Sequence, residues 1–361
     1  MSTSTKKKGI GGLTVFLGVI SSMLFLDTIA PSANMGSQVI SWYIIFTLLF
    51  FIPMGYIIGE LAATYPDKGG VYGWIKKAYG DRWAGRTSWV YWINAALWMP
   101  ATIIFLTGVT SQLVWPEVGI WFHVILGVIL SWVVVYVSSL SAEESGFLNN
   151  IGGIIKLLLP VLLLGTSLYY VLNYDAATSI TFTSVLPDFA QGLDFLPVVI
   201  YNMCGLEIIL GNVHKFKNPK KDVPKSVISG AVVMSFIYII SAIAILLIIP
   251  VEEVGVVKGF LDAFKTVFGT GTLATIAVSG IGILFIGTIV LQVQQWSLGS
   301  CIVAAESAEA NELPGVFKRY NKKESPIGSL IITGIVSSSV IVIYGMMAAT
   351  AEDLFWMLFE F

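Results

Sequence analysis

The sequence predicts an all-α integral membrane protein, and three observations support that prediction. Apolar residues make up 56% of the 361 residues, charged residues only 12%, and the mean hydropathy is +0.84. A soluble globular domain carries about 25% charged residues. Apolar runs of roughly 18 residues or more, each long enough to cross a bilayer as a helix, recur along the whole chain. The third observation is that the basic residues are concentrated in the loops on one face of the predicted bundle.

The apolar runs predict nine full spans and part of a tenth. The nine full spans cover residues 10–33, 38–63, 86–113, 120–140, 147–171, 192–213, 225–250, 272–305 and 327–348. The tenth begins near residue 350, and its length as a helix to Phe361 would be about 18 Å. Because the hydrocarbon core is roughly 30 Å thick, we expect the sequence to stop inside this helix.

The basic residues predict a cytoplasmic amino terminus. With that orientation, 17 of the 20 Lys and Arg residues lie in the inner loops, and only Lys258 and Lys265 lie outside. Cytoplasmic loops of membrane proteins carry such an excess of positive charge. The first apolar run is too long for a signal peptide and has no small-residue cleavage site, so we expect it to remain as a helix. The predicted location is the cytoplasmic membrane.

Two of the predicted spans are interrupted near their middles, and each carries one acid there. The first reads FLDTIAPS over residues 25–32 and contains Asp27, and the second reads YNMCGLE over residues 201–207 and contains Glu207. A carboxylate at the middle of the membrane is expensive, so each acid is a candidate functional residue. Broken helices at matching positions of two halves indicate the binding site of a secondary transporter.

The two interruptions fall in the first and sixth spans, which divides the chain into two sets of five spans. An odd number of spans in each set turns the second set upside down, as in inverted-repeat transporters. We therefore expect a cytoplasmic tail over residues 1–9, a first repeat over 10–171, an extracellular loop over 172–191, and a second repeat, incomplete in its tenth helix, over 192–361.

Two motifs resemble the amino acid–polyamine–organocation (APC) superfamily. The segment GELAATYPDKGGVY, residues 59–72, is similar to the end of the family's second helix. Gly205-Leu206-Glu207, followed by KNPKKDVP at residues 217–224, is similar to its sixth helix and the next loop. The resemblance covers nearly the whole chain, and the bacterial glutamate/GABA antiporters look most similar. It implies a leucine-transporter-like fold and transport of amino acids, or their amine derivatives, by alternating access, as an exchanger or a proton-coupled symporter.

The resemblance implies that the substrate binds where the first and sixth helices unwind. Free N–H groups at the start of an outer half-helix can hold a carboxylate, and free carbonyls at the end of the preceding half-helix can hold an ammonium. Together these two ends can bind the backbone of an amino acid. The candidate substrate-binding residues are Leu26, Asp27, Thr28, Ala30, Ser32, Tyr201, Asn202, Cys204, Gly205 and Trp296.

Asp27 lies where the sequence departs from the family. Many members carry a Gly-Ser/Thr-Gly element at this position to hold the substrate carboxylate, whereas this chain reads LDTIAPS over residues 26–32. An ionised Asp27 would repel a carboxylate and attract an amine. Either the substrate is unusually cationic or Asp27 is protonated during the cycle. The structural alternative is an aspartic acid that caps the broken helix.

Three further ionisable residues join Asp27 as candidates for proton coupling or gating. Glu207 lies where relatives place a glutamate that senses protons or substrate, and its alternative role is to tie the sixth helix to a neighbour. Lys156 is the only basic residue within a span. The resemblance implies that it braces the first helix through an ammonium–carbonyl contact, whereas the alternative is a lysine that snorkels to the interface. Glu60, near the inner end of the second span, is interpreted as a structural or gating anchor.

Aromatic and amide side chains complete the candidate site. The resemblance implies that Tyr201 and Trp296 gate the site, and packing in the core is the alternative. Gln292, Gln294 and Gln295 are unusually polar for a membrane span. Gln295 could reach the cavity, although a hydrogen bond between helices is an equal alternative.

Nothing in the sequence indicates an enzyme, a cofactor or a metal site. It has no Ser–His–Asp set, no cluster of His or Cys, and no phosphate-binding loop. His123 and His214 lie near span ends and are expected at the interface. The net charge of −2 gives no indication of nucleic acid. The expected partners are the bilayer, the small substrate and protons. A channel and a transport-inactive sensor of the same fold are the alternative classes.

Overall fold

The computed structural model describes most of the chain as helices. The described residues are 12–65, 70–115, 117–140, 142–189, 196–210 and 219–359, and they contain no β-strand. The α-helices α1 to α16 are, in order, Gly12–Met23, Ile29–Ala33, Val39–Phe46, Ile52–Thr64, Val71–Tyr79, Asp81–Val114, Ile120–Ser138, Ala142–Asn173, Phe182–Val185, Leu196–Tyr201, Leu206–Leu210, Pro219–Ile248, Gly259–Phe268, Thr272–Glu309, Ile327–Gly345 and Ala351–Phe359. The predicted tail of residues 1–9, residues 66–69 of the first motif, His214 and residues 217–218 lie outside the described part.

The described helices include seven that are long and apolar enough to cross a membrane. They are Gly36–Thr64, Asp81–Val114, Ile120–Ser138, Phe147–Asn173, Lys225–Ile248, Thr272–Glu309 and Ile327–Gly345. These lie on seven of the predicted spans, and a bent pair, Phe16–Met23 and Leu26–Ala33, lies on the first and would make an eighth. The all-α membrane class is therefore confirmed for the described residues, while the count of nine full spans stays a prediction.

The first broken helix lies inside the bundle. Its inner half α1 packs against α8, α12 and α14, and its outer half α2 packs against α12. Glycines allow the close approach of α8 to α1, because a Cβ built on Gly153 would collide with the backbone carbonyl of Leu17. Small residues commonly let membrane helices approach in this way. This contact places Lys156, one turn further along α8, against the end of α1.

His123, which was expected at the membrane interface, packs against a neighbouring helix. Its side chain is buried one turn into α7, and its Nδ1 lies 3.0 Å from the Thr107 hydroxyl on α6. The reason is that the first turn of α7 packs against α6, so closeness to a span end does not by itself expose a side chain. His123 thus contacts protein, and its position at the membrane interface stays a prediction.

Candidate functional site

The first broken helix bends by 45° between its two halves. Phe25 has an extended backbone with φ of −85° and ψ of 95°, and a single 3-10 turn over Leu26–Thr28 then leads into α2. Pro31 contributes to the break because it has no N–H, so the carbonyl of Asp27 loses its usual helical hydrogen bond. The local sequence therefore favours the interruption that was predicted here.

Two backbone carbonyls at the end of α1 receive hydrogen bonds from other helices. Lys156 Nζ on α8 donates to the Ser21 carbonyl at 2.7 Å, and Trp296 Nε1 on α14 donates to the Ser22 carbonyl at 2.9 Å. The last carbonyls of a helix have no intrahelical partner, and a cation there also interacts favourably with the helix dipole. The ammonium–carbonyl contact implied for Lys156 is thus present in the structure.

Tyr238 on α12 forms hydrogen bonds with backbone groups on both sides of the break. Its hydroxyl donates to the Met23 carbonyl at 3.0 Å and accepts the Phe25 N–H at 2.6 Å. Donors from three helices therefore occupy the carbonyls of Ser21, Ser22 and Met23. Since these were the carbonyls expected to hold a substrate ammonium, an ammonium in this conformation would have to share each of them with a protein donor.

Asp27 and Lys156 are joined by Gln292 of α14. The Gln292 Oε1 accepts from Lys156 Nζ at 2.8 Å, and its Nε2 donates to Asp27 Oδ1 at 3.1 Å. The exposed fractions of Asp27, Lys156 and Gln292 are 4%, 0% and 0%. A buried charge is stable only when it is paired and hydrogen-bonded. The amide satisfies both groups without bringing them into direct contact.

A buried polar cluster connects the two broken segments on the α2 and α10 side. The Thr28 hydroxyl donates to Asn202 Oδ1 at 2.6 Å, and Asn202 Nδ2 donates to the hydroxyls of Tyr43 at 2.5 Å and Ser32 at 3.4 Å. Tyr43 and Ser32 are also hydrogen-bonded to each other, at 2.9 Å. Asn202 and Ser32 therefore use their polar groups on protein partners in this conformation.

The Thr28–Asn202 contact predicts a non-additive loss of stability. Thr28→Val and Asn202→Leu should each lower the midpoint of thermal unfolding in detergent, because each removes the buried hydrogen bond between the two broken segments. Thr28→Val also leaves the buried Asn202 Oδ1 without its donor, at a cost of about 1–3 kcal/mol. The double variant should lose less than the sum, since both substitutions remove one shared hydrogen bond. The control is Ser131→Ala, which removes a buried hydroxyl between α7 and α15. The losses of stability from Ser131→Ala and Asn202→Leu should simply add in the double variant. Strict additivity of the first pair would contradict the contact.

Four aromatic rings pack together beside the break. Phe25 lies at its centre, with centroid distances of 4.6 Å to Tyr201, 5.7 Å to Trp296 and 6.3 Å to Trp98. Trp98 also contacts Tyr201 at 5.9 Å and Trp296 at 5.4 Å. Phe25 is fully buried, whereas the other three rings are only partly buried. The structure thus brings the two predicted aromatic residues together, and adds two that the sequence had not singled out.

The second break runs from the end of α10 at Tyr201 to the start of α11 at Leu206. Gly205 has a φ of +107°, and a Cβ built on it would collide with the ring of Trp296. Only glycine adopts such a backbone at little cost. Cys204 is partly exposed, and its thiol lies 3.3 Å from the carbonyl of Ile200. Gly205 therefore allows the second broken helix to lie directly against the aromatic cluster.

The two glutamates that were predicted lie in different surroundings. Glu207, in the first turn of α11, is partly buried and accepts a hydrogen bond from the Tyr91 hydroxyl on α6 at 3.0 Å. Glu60 is exposed on α4. Within the described part of the chain, no hydrogen bond or ion pair joins it to the residues at the two breaks. Glu207 is therefore close to the break, whereas the structure does not bring Glu60 into the cluster.

Burial differs between the two sides of the breaks. All residues of α2 are buried, including Ala30 and Ser32, and Leu26 is buried as well. Cys204, Glu207 and Trp296 remain partly exposed. The partly exposed residues of the site therefore lie at the second break and on α14, and not on α2.

Sequence reasoning missed several residues that contribute to this site. They are Tyr43, Tyr91, Trp98, Tyr238 and the bridging role of Gln292. A glutamine within an apolar span was a usable signal, whereas nothing distinguished these aromatic residues among 14 Tyr and 11 Trp.

Two discontinuous helices packed inside a bundle of apolar helices are typical of membrane transport proteins. The family model described as amino acid permease matches residues 10–360. The chain therefore belongs to the amino acid permease family of the APC superfamily, as its motifs predicted.

Three relatives illustrate the similarity. A probable agmatine/putrescine antiporter of Lactococcus lactis subsp. lactis is 32% identical over 349 residues, which cover 96% of this chain and 74% of the relative. An aromatic amino acid permease of Lactococcus lactis subsp. cremoris is 26% identical over 367 residues, covering 94% and 75%. A glutamate/gamma-aminobutyrate antiporter of the same subspecies is 21% identical over 304 residues, covering 80% and 59%. Permeases and antiporters among the relatives support transport rather than catalysis.

Proposed function

We propose that this protein is a secondary transporter that exchanges cationic amines across the cytoplasmic membrane by alternating access. The observation that carries the proposal is the position of Asp27 in the first turn of the second half-helix. The N-terminal end of a helix attracts an anion. Asp27 lies near that end, and its carboxylate, when ionised, would repel a substrate carboxylate and attract an amine.

The surroundings of Asp27 support an organic cation as the substrate. The carbonyls of Ser21, Ser22 and Met23 already accept hydrogen bonds from protein donors, so we take the charged Asp27 as the main acceptor for an ammonium group. Phe25 is two residues before Asp27 and packs against Tyr201 and Trp296. Aromatic faces attract cations and cover apolar stems. The relative named an agmatine/putrescine antiporter agrees with this chemistry. We infer that a diamine or a guanidinium amine is the substrate class.

The alternating-access proposal also uses the two breaks. We propose that the first and sixth spans of two inverted repeats carry them, that the amino terminus is cytoplasmic, and that this conformation is closed on the outside and partly open to the inside. The buried Thr28–Asn202 contact on the α2 side and the partial exposure of Cys204 and Glu207 support this assignment. In this scheme Asp27, Lys156 and Glu207 are the groups that would exchange protons if transport is proton-coupled.

Counterflow in liposomes tests the proposal. Vesicles loaded with unlabelled putrescine should take up labelled putrescine at least tenfold faster than empty vesicles, with saturation, and glutamate should not compete. Asp27→Asn should raise the KM for putrescine at least tenfold, because it removes an attraction worth about 1.4 kcal/mol or more. Glu253→Gln, at an exposed acid in the 3-10 turn after α12, is the control and should leave the KM unchanged.

Other outcomes of this assay would place the protein in the alternative functional classes. An unsaturable conductance would identify a channel, and binding of putrescine without flux would identify a transport-inactive sensor. Efficient uptake of glutamate or of neutral amino acids, with a KM that Asp27→Asn does not change, would overturn the amine proposal.

A further inference from the structure

Gln292 contacts both ionisable groups at the first break through a single side chain. Its carbonyl oxygen accepts from Lys156 and its amide nitrogen donates to Asp27, at 2.8 and 3.1 Å. Glutamine and asparagine are the uncharged side chains that present an acceptor and two donors at one end. Gln292 can therefore satisfy a buried ammonium and a buried carboxylate together, and the two contacts fix the direction of its amide.

A neighbouring glutamine on the same helix offers a matched comparison for Gln292. Gln295, three residues further along the same helix face, is also buried and donates to the Ser21 hydroxyl at 2.7 Å. Residues three apart lie next to each other on a helix. Gln295 thus makes a helix–helix contact of the same type without touching Asp27 or Lys156.

The contacts of Gln292 continue beyond the two charges. Lys156 Nζ makes its second hydrogen bond to the Ser21 carbonyl at the end of α1. A continuous path therefore runs from Asp27 through Gln292 and Lys156 to the end of α1, and it involves α14 and α8. Displacement of Asp27 changes the position that the amide can take, and the amide in turn changes the contact that holds α8 to α1.

Gln292 also separates two opposite charges that attract each other. With the amide between them, Lys156 does not pair directly with Asp27. A carboxylate offers about four acceptor positions, so Asp27 can bind an ammonium group while Gln292 holds one of its oxygens. Without the amide, Lys156 would compete with the substrate for Asp27.

We propose that Gln292 is the positioning residue that keeps Asp27 available to the substrate amine and links occupation of Asp27 to the Lys156–Ser21 contact. This inference rests on the proposed amine exchange, because it takes Asp27 as the substrate contact. It adds to that proposal a residue that determines affinity without touching the substrate.

The test compares Gln292→Met with Gln295→Met in the liposome exchange assay with putrescine. Both substitutions replace a buried amide by a flexible apolar side chain of similar size, so both should lower the thermal midpoint. Gln292→Met should raise the KM at least tenfold and shift the pH dependence of KM, since two charges lose their fixed separation. Gln295→Met should change the KM less than threefold and leave the pH profile in place.

The outcomes separate this inference from the function on which it rests. If the unaltered protein exchanges putrescine and the two variants change KM and pH profile equally, Gln292 has only a packing role and the inference is wrong. Retention of the original KM by Gln292→Met would also overturn it. If the unaltered protein exchanges no amine, the proposed function fails first and the inference falls with it. Gln292→Asn, which keeps both polar atoms on a shorter stem, should retain part of the affinity that Gln292→Met loses.

Discussion

Replacing Lys156 with Met is expected to abolish amine exchange and to destabilise the protein by about 3–5 kcal/mol, the usual cost of removing one partner from a buried set of charges. Lys156 is fully buried and donates to the Ser21 carbonyl and to Gln292. Methionine has a similar length and adapts to its surroundings, so the loss comes from the missing ammonium group and not from a cavity. Exchange in liposomes and the thermal midpoint in detergent measure the two effects.

The double variant Lys156→Met/Asp27→Asn provides the sharper form of this experiment. Replacing both members of a buried charged set is much less costly than removing one, because no uncompensated charge remains. We therefore expect the double variant to regain a large part of the stability that Lys156→Met loses, while exchange stays absent. Lys258→Met, at a cation in the loop before α13, is the control and should leave exchange unchanged. A double variant no more stable than Lys156→Met would show that the two charges are not coupled.

The apolar runs predicted the helices well because hydropathy is a local property of the chain. Asp27, Glu207 and Lys156 were identifiable for the same reason, since a charge inside an apolar run is visible without knowledge of its neighbours. The interruption at Asp27 was likewise readable from Pro31 and the polar residues around it. The sequence therefore indicated the residues whose burial in a membrane costs free energy.

The contacts of those residues could not be predicted in the same way. Gln292 and Asp27 are 265 residues apart, and Asn202 and Thr28 are 174 apart. Whether such side chains meet depends on how each helix is rotated about its axis, which packing decides. The Lys156 contact with α1 came from family resemblance, and its link to Gln292 did not. Glu60, singled out in a family motif, lies exposed on α4.

The hydrogen bonds at the end of α1 show how unpredictable contacts between helices change the functional interpretation. Sequence reasoning expected free carbonyls at the break, because a helix end always leaves some without intrahelical partners. It could not anticipate that donors from Lys156, Trp296 and Tyr238 would converge on three consecutive carbonyls. That convergence makes Asp27 the acceptor that we propose for an ammonium group, and it supports the proposal of an amine substrate.

Replacing Gly205 with Ala is expected to abolish exchange, because it introduces backbone strain and a collision at once. A φ of +107° costs a residue with a Cβ about 1–3 kcal/mol. The new methyl group would also collide with the ring of Trp296. Trp296 cannot move away easily, since its Nε1 is hydrogen-bonded to the Ser22 carbonyl and its ring packs on Phe25. Exchange assays and thermal unfolding in detergent measure the loss.

Gly80→Ala separates the two causes. Gly80 has a φ of +83°, but no atom lies within 4 Å of the position its Cβ would take. It should therefore show the strain alone, as a lower thermal midpoint with exchange retained. Gly205→Ala/Trp296→Leu removes the ring but not the strain, so it should recover part of the stability and none of the exchange. If Gly205→Ala instead behaved like Gly80→Ala, the close contact of the second break with Trp296 would not be required for transport, and the aromatic cluster would be packing and not a gate.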